Sequence, residues 1–136
     1  MSEEGIPEDI RRFLLLHIDS VAQLEALLLM HSHPHQDWDA AALAQRLYIS
    51  PAETVKILLH LAAQQLCRPS SQPNSFRIET GNPELKALLM RLAEVYSRRL
   101  IAITTLIHQN KPPGQNPNNA KRFADAFKFF KDKEDG

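Results

Sequence analysis

The chain has 136 residues, 43% apolar and 24% charged, an ordinary balance for one globular domain able to bury a real core. Its 16 Lys and Arg offset 16 Asp and Glu, so no global field marks it for nucleic acid or an anionic membrane. The charge is nonetheless uneven: residues 1–39 hold eight acids against Arg11 and Arg12 and sum to −6, which leaves +6 on the other 97 residues.

The opening stretch "MSEEGIPEDI" is acidic and lacks the basic-then-apolar pattern of a signal peptide. With a lone cysteine, Cys67, that cannot form an internal disulfide, it points to a cytoplasmic protein. Pro7, Glu8 and Asp9 suit a first helical turn. Ile10, Phe13, Leu14 and His17 then recur at three and four and predict an inward face. Ser20 and Gln23 form a capping box for a second helix, which carries Val21, Leu24, Leu27 and Leu28 and ends near Met30. The Leu-rich run 13–30 includes His17, Asp19, Gln23 and Glu25, so it is not a membrane span.

"HSHPHQDWDA" follows. His31, His33 and His35 alternate, but Pro34 breaks regular spacing and no cysteine cluster supports them. The stretch reads as a polar connector rather than a metal site. Asp39 is a good N-cap, with Trp38 before it and Leu43 four positions after it in the staple arrangement. This predicts a helix over about 40–47. Ser50, Pro51 and Glu53 open a second one that runs to about Leu66. Two short capped helices joined by three residues make a helix-turn-helix. Phe76 and Ile78 alternate with Arg77 and Glu79 as in a strand, residues 66–69 supply an opposing one, and Gln72, Pro73 and Asn74 supply the turn.

On these residues the chain resembles the winged helix-turn-helix of bacterial transcriptional regulators, with helices arranged as in MarR-type proteins. The carriers are Ala44, Ile49 and Ser50 at the turn, Thr54 and Val55 opening the second helix, and Leu59 and Leu66 in the core. The resemblance covers about residues 38–80. It implies a mainly α fold: two N-terminal helices, the helix-turn-helix at 40–66, a small β-hairpin wing at 66–80 and a long C-terminal helix at 82–109. It also implies duplex DNA as partner, read by Thr54, Lys56, His60 and Gln64 in the groove, with Arg68 and Arg77 on the backbone. The surface chemistry pulls the other way. The second helix has one lysine against Glu53, and the wing tip "SSQPNS" has no cation. Ile57 and Leu61 fall where such families place polar residues. They are either buried against the N-terminal helices or an exposed protein-interaction face.

Asn82 and Pro83 open the long helix, whose stripe runs Leu85, Leu89, Leu92, Tyr96, Leu100, Ile103 and Ile107. Such a helix would be roughly 40 Å long, more than one small domain covers. Its later half is apolar nearly all round. Leu100, Ile103 and Ile107 are therefore candidate contacts of a homodimer, as the resemblance also implies.

"NKPPGQNPNN", residues 110–119, reads as a linker, and residues 120–136 as an amphipathic tail. Phe123, Phe127 and Phe130 share one helical face among Lys121, Arg122, Lys128 and Lys131. Three receivers fit: the chain's own domain or a second subunit, a groove on a partner protein, or an anionic membrane surface, which the tail's acids disfavour. No phosphate loop, nucleophile elbow or ligand cluster is present, so the expectation is a non-enzymatic protein without cofactor. Cys67 beside Arg68 admits a redox-sensing thiol, with a buried structural cysteine as the plainer reading. Two functions remain: a homodimeric DNA-binding regulator, or an adaptor that binds protein through its second helix or its tail.

Overall fold

The computed structural model describes residues 5–109, so the linker and the phenylalanine-bearing tail lie outside the described residues. The described chain is mainly helical, with one small antiparallel sheet. In order come α1 (Glu8–His17), α2 (Val21–Ser32), α3 (Ala40–Leu47), α4 (Pro51–Ala63), β1 (Cys67–Pro69), β2 (Phe76–Ile78), α5 (Pro83–Arg98) and α6 (Leu100–Gln109).

Local chemistry starts four of these helices where the sequence says it does. The side chains of Ser20, Asp39, Ser50 and Asn82 accept backbone N–H groups of Gln23, Ala42, Glu53 and Glu84, respectively, at 2.8 to 3.1 Å. Each satisfies a donor that the first turn leaves unpaired. The expected box at Ser20 closes differently: the Gln23 amide oxygen accepts from the N–H of Asp19, at 2.7 Å. α4 ends in a Schellman arrangement. Gln65 adopts φ +64°, its N–H donates to Ala62, and the N–H of Leu66 donates to Leu61. Tyr48 takes the left-handed conformation in the three-residue turn between α3 and α4.

β1 and β2 pair Cys67 with Ile78, Arg68 with Arg77 and Pro69 with Phe76, and Asn74 sits at φ +55° in the connecting turn. A third segment joins them. Trp38 and Phe76 exchange both backbone hydrogen bonds, each 2.8 Å, so the histidine stretch ends as a one-residue strand against β2. α2 itself runs on through His31 to Ser32, beyond the expected end at Met30.

The core draws on every helix: Ile10 and Leu14, Leu24 and Leu27, Leu43, Leu58 and Leu61, Leu89 and Leu92, and Ile103, with Trp38 and Ile78 beneath the hairpin. α4 packs against α2, α3 and β1. Asp9 on α1 is bound to Arg91 on α5, whose guanidinium holds the Asp9 carboxyl below its usual range. No single helix among the described residues is long and apolar enough to cross a membrane.

One expected element is corrected. The long helix at 82–109 is two helices, interrupted at Arg99, which leaves helical geometry at φ −125° and ψ 47°. No proline or glycine stands there. The reason is tertiary: the turn lets Ile103, Leu106 and Ile107 enter the same core as Leu89 and Leu92. A straight helix would carry that stripe into solvent.

Candidate functional site

α4 is amphipathic in an unexpected sense. Its inward face is Thr54, Ile57, Leu58 and Leu61, and its solvent face carries Val55, Lys56 and Leu59. Ile57 and Leu61, candidates for an exposed protein contact, are only 4% and 0% exposed and belong to the core. Leu59, expected in the core by the resemblance, is 57% exposed, and Val55 is 44% exposed. Of the two alternatives for Ile57 and Leu61, the structure shows burial, and Leu59 is corrected from a core position to an exposed one.

The residues expected to meet DNA separate into four groups. Thr54 is fully buried, and its hydroxyl donates to the Ser50 carbonyl at 2.9 Å, so it presents nothing to a groove. His60 and Gln64 are half-buried and turned toward the C-terminus of α1. The Nε2 of His60 donates to the His17 carbonyl at 2.8 Å, and the amide oxygen of Gln64 meets His17 Nδ1 at 2.6 Å. Asp19 lies 4.0 Å from the other nitrogen of His60. These two side chains anchor α4 to α1. Lys56 and Arg68 are exposed. Arg77, opposite Arg68 in the register, is engaged by Asp37 at 2.9 Å. That hydrogen bond holds the Asp37 carboxyl below its ordinary range and offsets the repulsion of two arginines facing each other. Of six expected contacts, the structure leaves Lys56 and Arg68 accessible, with no side-chain ion pair or hydrogen bond among the described residues.

Beside Val55 and Leu59 a groove of about 330 Å³ opens between α4 and the start of β2. It is lined by Asp39, Ala40, Val55, Leu58, Leu59, Asn74 and Phe76. The elements that position it are local: Asp39 fixes the start of α3, and the Trp38–Phe76 bridge holds β2 against it. Periodicity could not reveal the groove, because α4 is apolar on both faces.

The dimer candidates divide likewise. Ile103 and Ile107 are buried within their own chain, at 0% and 2% exposed, and are corrected to core residues. Leu100 is 48% exposed and Ile101 74%, at a second opening of about 570 Å³ beside the helix break. Leu100, a dimer candidate, and Ile101, which is not one, are thus both exposed there.

The histidines do not converge. His33 lies at the end of α2, its Nδ1 2.9 Å from the Ser32 hydroxyl, and its ring stands edge-on to Trp38 at 6.1 Å. Among the described residues no group of three or more His, Cys, Asp or Glu is placed to hold a metal.

Cys67 is buried, its Sγ 3.8 Å from the Leu58 carbonyl, and burial pushes its thiol up to about 12. Such a group holds almost no thiolate near neutrality, which favours the structural reading of this cysteine over a redox-sensing one. A disulfide reagent at pH 8 is expected to modify the folded protein at least roughly 100-fold more slowly than the denatured chain. Comparable rates measured by absorbance would show that the thiol is accessible.

No protein-family model, curated protein or solved structure matches the chain.

Proposed function

We propose that this chain is a non-enzymatic, winged-helix-like docking module whose second helix faces protein rather than DNA. The order α3, three-residue turn, α4 and hairpin supports the winged-helix frame. The observation that carries the function is the pairing of Val55 with Leu59, four residues apart on the solvent face of α4 and open to the apolar groove. On a helix entering a DNA groove, that face needs donors for phosphates and base edges. Here two aliphatic side chains occupy it, and the accessible cations are Lys56 on the helix and Arg68 on the wing. A second copy, on this reading, meets Leu100 and Ile101, since Ile103 and Ile107 are used inside the chain.

DNA binding is the second reading, favoured by the exposed Lys56 and Arg68. Fluorescence anisotropy against random-sequence duplex DNA, from low to physiological salt, separates the two. The expected result is no saturable binding even at low salt. Binding that falls steeply with salt and disappears in Lys56→Glu would overturn the docking reading, because phosphate neutralisation gives that salt dependence.

A further inference from the structure

The groove beside α4 fits an occupant within the same chain. We propose that segment 120–131 docks there, placing Phe123, Phe127 and Phe130 against Val55, Leu59 and Phe76. This rests on the protein-docking reading of α4 and names the resident partner.

Chemistry selects this segment. Three of its four phenylalanines, Phe123, Phe127 and Phe130, stand at i, i+4 and i+7, the spacing of a helix that lays one face into an apolar groove. Over 120–131 it carries Lys121, Arg122, Lys128 and Lys131 against Asp125, a net +3. Of the residues lining the groove beside α4, only Asp39 is ionisable, and it is acidic. On the same helix the exposed Glu53 and Lys56 offset each other, which leaves Asp39 to set the sign. The other apolar opening, at the helix break, is lined by Arg98 and Arg99 as well as Leu100 and Ile101, and with Glu94 pairing Arg98 at 2.9 Å it keeps a net positive charge that disfavours a basic segment. Charge therefore distinguishes two surfaces that apolar area alone does not.

Chain length bounds the reach of the segment. The described chain ends at Gln109, and ten residues, 110–119, precede the segment. Extended, they span roughly 33 Å. A domain with a radius of gyration of about 13 Å has a radius of roughly 17 Å, so the span reaches roughly two thirds of the way from Gln109 to the opposite face along the surface. A tethered segment also sits at an effective concentration in the millimolar range, and modest intrinsic affinity is enough to hold it. Any external partner for this groove must then displace it.

The test uses the full chain with photoreactive p-benzoyl-phenylalanine at position 59, mixed as light and heavy isotopic forms. Irradiation is expected to link position 59 to residues 120–131 within one chain. The yield should fall at least fivefold when Phe123, Phe127 and Phe130 are all changed to serine, and the same probe at position 100 should not capture the segment. Hydrogen exchange of residues 52–60, measured without any probe, should quicken several-fold in the triple serine variant. Links only between light and heavy chains, links to other segments, or unchanged exchange in a folded triple variant would each overturn the proposal. If these fail while duplex DNA still does not bind, α4 remains a docking face with another occupant. Salt-sensitive DNA binding would instead remove the docking reading itself.

Discussion

Trp38→Ala is expected to lower the unfolding free energy by about 3–5 kcal/mol, a large part of what a small domain has. Trp38 is 1% exposed and stands where three parts of the fold meet. Its backbone exchanges both hydrogen bonds with Phe76, the next residue caps α3, and Asp37 before it binds Arg77. The Arg46 guanidinium lies 5.8 Å from its ring centre. Truncation leaves a cavity beneath the hairpin and loosens the groove beside α4 with it. Among the described residues the indole Nε1 has no hydrogen-bond partner, although it is buried. A buried donor left unpaired costs about 1–3 kcal/mol. Trp38→Phe removes that donor and keeps a ring, so it should remain roughly 2 kcal/mol or more above the alanine variant. Urea unfolding followed by circular dichroism reads both, since the chain's one tryptophan is lost. A Trp38→Ala midpoint corresponding to less than about 1 kcal/mol of loss would mean that this site is not the structural node described.

What the sequence makes legible is what local chemistry decides. Ser20, Asp39, Ser50 and Asn82 act as N-caps because a side-chain oxygen reaches a backbone N–H two or three residues on, whatever the tertiary context. The hairpin is equally readable, from the Gln72–Asn74 turn and the alternation through Ile78. The break at Arg99 is not. The residues on both sides favour helix, and only the shared burial of Leu92 with Ile103 requires the turn. Arg99 also makes a non-local approach: its side chain lies so close to Gly5, whose φ is +87°, that a Cβ there would come within 2.9 Å of the arginine Nε. The same limit hides the groove. In "TVKILLHLAA" apolar residues surround the helix, so Leu59 and Leu61 look equivalent until α2, α3 and β1 choose a face. Trp38 was readable as a staple residue, while its bridge to Phe76 pairs residues far apart in sequence and leaves no local trace.

That choice of face is the step on which the function turns, and one pair of variants tests it. Leu61→Ala is expected to cost about 2–5 kcal/mol, because Leu61 is fully buried against neighbouring elements. Leu59→Ala, two positions earlier on the same helix, should cost no more than about 1 kcal/mol even with its contact to the docked segment lost, because its side chain is 57% exposed in the domain itself and alanine is the better helix former. If α4 were rotated so that Ile57 and Leu61 faced outward, the two costs would exchange. Thr54→Val should behave as a core substitution in the observed orientation, sensitive to the loss of its bond to the Ser50 carbonyl. Should Leu59→Ala prove the more destabilising variant in parallel urea titrations, Val55 and Leu59 would be core residues. Lys56 would remain near the solvent boundary, but the apolar groove would no longer exist. The docking reading depends on that face alone, so a stability measurement that never involves a partner can still remove it.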